Sequence, residues 1–302
     1  MPLGSPPGDG PMKINMMHKT SSRMALCWMA LSALGFSLTL GNSATAAQHA
    51  DLAVCQSRAV ADLHRLSARG YAVYEALADK KQFLTWISCD DPQTELSTAV
   101  HETVHLLTAE NDAYVLLDGS MVHRPHEISR FFPPKNIARR FDTSDSYVQN
   151  YLRPGGASSN DDFMYLLDEL NAYSHDLDTA VSLVPLQKHD RIVDHRDGLA
   201  ALMTFVMAYV DDAAKAQPAT WQGLQQSEPK KAVQVLWSQA ETTLASSCGL
   251  PEFGMHDRDY IAYLCEKKNA GGLADLLGRA PFCPTECLVP QTTSSISSTH
   301  AR

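Results

Sequence analysis

Apolar residues recur at helical spacing along most of this 302-residue chain. The spacing predicts an amphipathic helix over residues 49–68, which Gly70 ends. Asp91 as a cap and Pro92 as a first helical residue predict a second helix, which runs to about residue 109. Further helices are predicted at residues 160–180, 197–216, 229–246, 257–267 and 271–278.

Two segments have the composition of β-hairpins. Tyr71–Leu77 and Gln82–Ser88 are rich in β-branched and aromatic residues, which favours a pair of strands. A second pair, Tyr114–Leu117 and Ser120–His123, is joined by Asp118-Gly119, a sequence typical of two-residue turns. The stretch 124–160 has no clear period and is predicted to be irregular, and loops of this length are often functional.

These elements predict an α+β fold that is mainly helical. With 44% hydrophobic and 20% charged residues, the chain can build a sizeable core. We expect a single domain at 48–290, with one half at 48–180 and a helical half at 181–290. The tail, 291–302, is rich in Ser and Thr and is expected to be disordered.

The amino terminus has the pattern of a secretory leader over residues 1–47. Lys13, Lys19 and Arg23 precede the apolar run 24–40, and small residues follow at 43–47. A membrane anchor is the alternative, but the run is shorter than the ~20 residues a span needs. We therefore expect a signal peptide at about 12–47, with 1–11 as an upstream extension. The exported chain would keep no stable membrane anchor and would be periplasmic or secreted.

Six of the seven cysteines follow this leader: Cys55, Cys89, Cys248, Cys265, Cys283 and Cys287. An even number behind an export signal predicts three disulfides, with a thiolate metal site as the alternative. Cys55 is expected to pair with Cys89, because Cys55 lies in the first predicted helix and Cys89 ends the predicted strand that leads into the helix starting at Pro92. The other four are expected to pair among themselves and to staple the helical carboxyl-terminal part.

The sequence His101-Glu102-Thr103-Val104-His105 carries the clearest chemical signal. Positions i and i+4 of a helix lie on one face, so both imidazoles can bind one metal ion while Glu102 reaches a water beside it. The predicted helix packs its back through Leu96, Val100, Thr103 and Leu107. A solvated polar face with two histidines four positions apart is the alternative interpretation.

This segment resembles the zincin metallopeptidases, whose active-site helix carries HExxH. The resemblance implies a zincin-like fold, one Zn²⁺ ion on His101 and His105, and Glu102 as general base on a zinc-activated water. Thr108 and Asn111 replace the Gly and His of the metzincin continuation. The resemblance is therefore to the gluzincin branch, in which a downstream helix supplies a glutamate as third ligand, and the subfamily is unassigned.

The third ligand is expected at Glu169, with His123 and His126 as alternatives. On the predicted helix, Glu169 lies on the flank of an apolar stripe, whereas Asp168 and His175 are expected to point toward solvent. Tyr173, one turn after Glu169, is the candidate for stabilising the tetrahedral intermediate. Tyr173 as a core aromatic is the alternative, and Tyr165 and His175 are weaker candidates.

The predicted function is that of an exported zinc metallopeptidase acting on protein or peptide, including the peptide stems of a cell wall. The alternative is an exported, disulfide-stapled binding protein on an inactive zincin scaffold. A formal charge of −9 argues against nucleic acid as a partner, because phosphate-binding surfaces carry an excess of basic residues.

Overall fold

The computed structural model describes residues 41–187 and 193–289. The predicted leader up to residue 40 and the predicted tail at 291–302 lie outside this part of the chain. From Thr45 onward the chain belongs to one structural unit. Along the described residues, no helix combines the length and apolar character that a membrane crossing requires.

The described chain is mainly helical, as predicted, with one two-stranded antiparallel sheet. The α-helices are α1 (Gly41–Leu66), α2 (Ala68–Ala76), α3 (Lys80–Leu84), α4 (Pro92–Asn111), α5 (Ser146–Tyr151), α6 (Phe163–Ser182), α7 (His195–Ala216), α8 (Pro218–Leu224), α9 (Ser227–Ser246), α10 (Asp257–Cys265) and α11 (Gly271–Leu277). The strands are β1 (Ala113–Val115) and β2 (Met121–His123). Short 3-10 helices lie at His126–Arg130, Pro134–Arg140, Ser158–Asn160, Val184–Leu186, Pro251–Phe253, Lys267–Asn269 and Thr285–Leu288.

The first predicted hairpin is wrong, because both of its strands are replaced by the helices α2 and α3. Each helix has a side-chain cap at its start: Ser67 accepts a hydrogen bond from the backbone N–H of Gly70, and Asp79 accepts one from Lys81. Val73 and Phe83 are buried against the neighbouring helices. Capping and burial thus override the strand preference of the β-branched and aromatic residues.

The second predicted hairpin is confirmed, with strands slightly different from those expected. β1 and β2 pair in register from Ala113 with His123 to Val115 with Met121. Gly119 has a φ of +82°, in the left-handed region that glycine adopts readily and that an Asp-Gly turn requires. The stretch 124–160, predicted to be irregular, also contains the short helix α5 and three of the 3-10 helices.

The core has two parts that meet along α6. One apolar cluster surrounds α6, α7 and α9, and the other lies among α1 to α4. Ala172 of α6 and Leu183, the residue directly after this helix, belong to the second cluster, although α6 contributes mostly to the first. The helix α6 therefore lies between α4 and α7, and most of its residues, polar ones included, are buried.

All six cysteines expected to pair do so within the described chain. Cys55–Cys89 ties α1 to the segment before α4, as predicted. Cys248–Cys287 and Cys265–Cys283 close the remaining set among themselves and hold the carboxyl-terminal segment against α9 and α10. The predicted staple of the helical part is thus present.

Candidate metal centre

The helix α4 presents two histidines from a well-anchored start. The Glu95 carboxylate accepts hydrogen bonds from the backbone N–H groups of Cys89, Asp90 and Asp91, at 2.7, 3.0 and 3.2 Å. The back of the helix is buried through Leu96, Val100, Thr103 and Leu107, the four residues predicted for that face. His101 and His105 lie on another face, against α6.

Three possible ligand atoms converge at this face. Nε2 of His101 lies 3.2 Å from Nε2 of His105, and Oε2 of Glu169 lies 3.7 Å and 3.5 Å from these two nitrogens. Zinc bonds of about 2.0–2.1 Å at tetrahedral angles separate two ligand atoms by about 3.3 Å. These three atoms therefore fit the spacing of a tetrahedral metal ion.

The surroundings of the three ligand atoms also fit a cation. Oε2 of Glu169 is buried and has no hydrogen-bond partner among the described residues. An unpaired buried carboxylate oxygen is costly, and a metal ion would satisfy it. Within the described chain, His101, His105 and Glu169 are the one group of three such residues compact enough to hold an ion.

The alternative third ligands lie elsewhere. His126 Nε2 lies 2.8 Å from Asp112 Oδ2, in an exposed pair after the end of α4. The His123 ring lies near that of His126, with ring centroids 6.1 Å apart. Neither residue belongs to the group formed by His101, His105 and Glu169. The structure therefore brings Glu169, and not these histidines, to the pair on α4.

Asp168 and His175 do not point toward solvent, so that prediction is wrong. Asp168 is 6% exposed, and its Oδ2 accepts a hydrogen bond from Nδ1 of His105 at 2.8 Å. His175 is also buried, with its Nε2 2.9 Å from the carbonyl oxygen of Val115. The helical periodicity of the sequence identified the residues of the apolar stripe on α6. It could not show which other elements cover the remaining faces of this helix.

The charges of the cluster shift three pKa values. Burial acts to lower the pKa of His105, but the Asp168 and Glu169 carboxylates outweigh it and hold that pKa well above its ordinary value. Burial and the neighbouring His105 lower the pKa of His101. Burial acts to raise the pKa of Glu169, yet the two histidines lower it. A metal ion that binds here would displace the proton of His105.

A cleft of about 200 Å³ opens beside His101 on the side of Glu102. Its lining, which we call the tyrosine cleft, consists of Thr94, Thr98, His101, Glu102, Tyr147, Tyr151, Tyr173, Asp176, Asp194 and His195. Glu102, the second residue of the HExxH sequence, therefore lines a cleft next to His101.

Tyr173 lies in this cleft, with its ring edge-on to that of His101 and the two ring centroids 4.6 Å apart. Its hydroxyl is 2.8 Å from the hydroxyl of Tyr151. Burial raises the pKa of Tyr173 well above its ordinary value, so the hydroxyl keeps its proton and can donate it. The weaker candidate Tyr165 lies outside this cleft, under the guanidinium of Arg124.

A second histidine at the cleft, His195, was not predicted from the sequence. His195 begins α7 and is 4% exposed, and its Nδ1 lies 2.7 Å from Oδ1 of Asp176. The other oxygen of Asp176 lies 4.0 Å from Nδ1 of His101. Burial acts to lower the pKa of His195, but Asp176 raises it above its ordinary value. No local pattern could have joined these residues, because they come from three different helices.

No protein-family model matches this sequence, and no curated protein or solved structure gives a significant match.

Proposed function

We propose that this chain is an exported zinc metallopeptidase with a zincin-like, gluzincin-type site. His101, His105 and Glu169 are the proposed ligands of Zn²⁺. The convergence of their three ligand atoms within 3.2–3.7 Å of one another is the observation that carries the proposal. The set contains three protein ligands, the number typical of catalytic zinc sites, whereas structural sites usually close with four.

Zinc bound by these residues would supply a Lewis acid that polarises a carbonyl group and makes water more acidic. Glu102 faces the cleft and is proposed to accept the proton of the attacking water and to pass it to the leaving amine. Tyr173 and His195 line the same cleft. Both groups can donate hydrogen bonds to the carbonyl oxygen as it gains negative charge.

Two buried carboxylates on α6 would orient these groups. Asp168 holds the ring of His105 through Nδ1 and leaves Nε2 directed at the metal position. Asp176 holds His195 in the same way and lies beside Nδ1 of His101. Carboxylates of this kind set the tautomer and ring orientation of metal-binding histidines.

Export is proposed from the leader pattern together with the three disulfides, since disulfides persist in oxidising compartments. The proposed substrates are proteins or peptides, and an exported enzyme would also meet the peptide stems of a cell wall.

Metal binding and hydrolysis measured together test this proposal. We expect the purified protein to bind one zinc ion per chain and to cleave an unstructured protein or a peptide mixture. Glu169→Ala should lose most of the zinc, whereas Glu110→Ala, at the exposed end of α4, should keep it. A parent protein that binds zinc but cleaves no peptide bond would instead support a binding protein on an inactive scaffold.

A further inference from the structure

His195 and Asp194 form one end of the tyrosine cleft, and they are consecutive residues at the start of α7. Nε2 of His195 is buried and has no hydrogen-bond partner among the described residues, although Nδ1 is held by Asp176. A buried ring nitrogen without a partner is unusual. The His195 ring lines the cleft, so a polar atom of a ligand that enters beside the ring would be a partner for this nitrogen.

Asp194, the residue before His195, carries a carboxylate, which accepts hydrogen bonds. Its carboxylate is exposed at the cleft and lies 3.4 Å from the hydroxyl of Tyr147. Asp176 balances the positive charge that His195 would carry, so the Asp194 carboxylate remains as a negative charge at this end. His195 can therefore donate a hydrogen bond to a carbonyl oxygen, and Asp194 next to it can accept one from a positively charged group.

The wall next to this pair is aromatic. The rings of Tyr147 and Tyr151 lie nearly parallel, with centroids 6.4 Å apart, and each meets the ring of Tyr173 edge-on. Faces of tyrosine rings attract ammonium groups, and the attraction adds to that of a nearby carboxylate.

The residues that line the cleft come from helices and not from the sheet. All its lining residues lie on α4, α5, α6 and α7 or directly before α7. The hairpin lies against another face of α6, where Asn171 Nδ2 donates to the Val115 carbonyl and His175 Nε2 lies 2.9 Å from it. In the described part of the chain, a long peptide therefore has no strand at this cleft along which to pair.

We propose that the tyrosine cleft takes the free amino end of a peptide, with its α-ammonium on Asp194 and the carbonyl oxygen of the same residue toward His195. In one residue these two atoms are separated by three covalent bonds, a spacing that consecutive side chains can match. Water would then hydrolyse the first peptide bond: its hydroxyl joins the carbonyl carbon, its proton goes to the departing nitrogen, and one amino acid is released. This proposal rests on the proposed peptidase function.

The test compares two peptides of identical sequence, one with a free amino end and one acetylated, with products identified by mass spectrometry. We expect the zinc-loaded protein to remove the first residue of the free peptide and to leave the acetylated one intact. Internal cleavage of both peptides would overturn this proposal and leave the peptidase function standing. Cleavage of neither peptide by the zinc-loaded protein would overturn both.

Two variants test whether Asp194 binds the amino end of the peptide. Asp194→Asn should raise the KM for the free peptide roughly ten- to a hundredfold, with unchanged zinc content, because a charge-assisted hydrogen bond is lost. Its side chain makes no capping hydrogen bond to α7, so the fold should remain. Asp275→Asn, on α11 outside the cleft, should leave KM unchanged. Equal KM values for both variants and the parent would contradict the role of Asp194.

Discussion

Asp168 and His105 are joined by a hydrogen bond of 2.8 Å between Oδ2 and Nδ1. The bond leaves Nε2 of the same ring facing Nε2 of His101 at 3.2 Å and Oε2 of Glu169 at 3.5 Å. Consecutive residues of α6 thus act on one imidazole from two sides. Glu169 faces the proposed metal position, and Asp168 fixes the orientation of the ring.

Replacing Asp168 should therefore weaken zinc binding without removing a ligand. We expect Asp168→Asn to lower zinc affinity by about 10- to 100-fold, because His105 loses the carboxylate that sets its tautomer. Competition with a chromogenic chelator measures the change. Asp178→Asn, on the same helix but paired with Arg69, is the control and should bind zinc like the parent. Equal affinity for the Asp168 variant and the parent would show that the hydrogen bond does not orient a ligand.

Gly198 provides a way to move Tyr173 without altering it. A Cβ at Gly198 would lie 2.1 Å from Cε1 of Tyr173. We expect Gly198→Ala to displace that ring, to lower hydrolysis, and to reduce the free energy of unfolding by about 1–3 kcal/mol, although alanine is the better helix former.

Urea unfolding and peptide hydrolysis measure both effects. Gly271→Ala is the control, because the added Cβ would meet no atom within 4 Å apart from the adjacent residues and the backbone of its own helix. If the Gly198 variant unfolded and hydrolysed peptides like this control, the close packing of α7 on Tyr173 would be refuted.

Asp197 should make stability depend on pH in weakly acidic solution. Burial raises its pKa to about 6, although its carboxylate accepts hydrogen bonds from the backbone N–H groups of Met255 and His256. The folded protein binds this proton more tightly than the unfolded chain does. The stabilisation is therefore present below about pH 4 and is lost as the pH rises through about 6.

Asp197→Asn cannot ionise, so its stability relative to the parent should rise by roughly 1–3 kcal/mol between pH 4 and pH 7. Denaturant unfolding at a series of pH values gives this difference. A constant difference between parent and variant across that range would show that the carboxylate titrates alike in both states.

Local sequence patterns predicted the part of the site that lies on one helix. His101 and His105 are four positions apart, and Asp91-Pro92 marks the start of the helix, so both signals can be found without tertiary information. The Asp-Gly turn of the hairpin is local in the same sense. The apolar stripe of α6 was also enough to choose Glu169 over Asp168 as the acid that lies within 3.7 Å of both Nε2 atoms.

The errors came from packing. Asp168 and His175 were predicted to point toward solvent because they lie outside the apolar stripe, and the prediction assumed that only one face of the helix is buried. In the structure α6 is covered on several sides, so these polar groups are buried with hydrogen-bond partners. The segment Tyr71–Leu77 was predicted as a strand from its residue types, but the Ser67 cap and the burial of Val73 favour the helix α2.

His195 and Asp176 could not be assigned from sequence for a different reason. Neither residue lies in a recognisable motif, and their contact requires α7 to return against α6 beside the start of α4. Only the folded chain brings the pair to the cleft.

Glu102 is proposed to act as a base at a zinc ion that other residues hold. Glu102→Gln keeps the size of the side chain but removes the carboxylate, so the variant should bind one zinc ion like the parent. Its rate of peptide hydrolysis should fall by a factor on the order of 10² to 10⁴. Glu110→Gln, at the exposed end of the same helix, controls for loss of a glutamate from α4. Parallel measurement of zinc content and hydrolysis rate in the three proteins decides the matter. We expect equal zinc content in all three proteins, with hydrolysis lost in the Glu102 variant alone. Hydrolysis by that variant at the parent rate would contradict the role of Glu102 as the base.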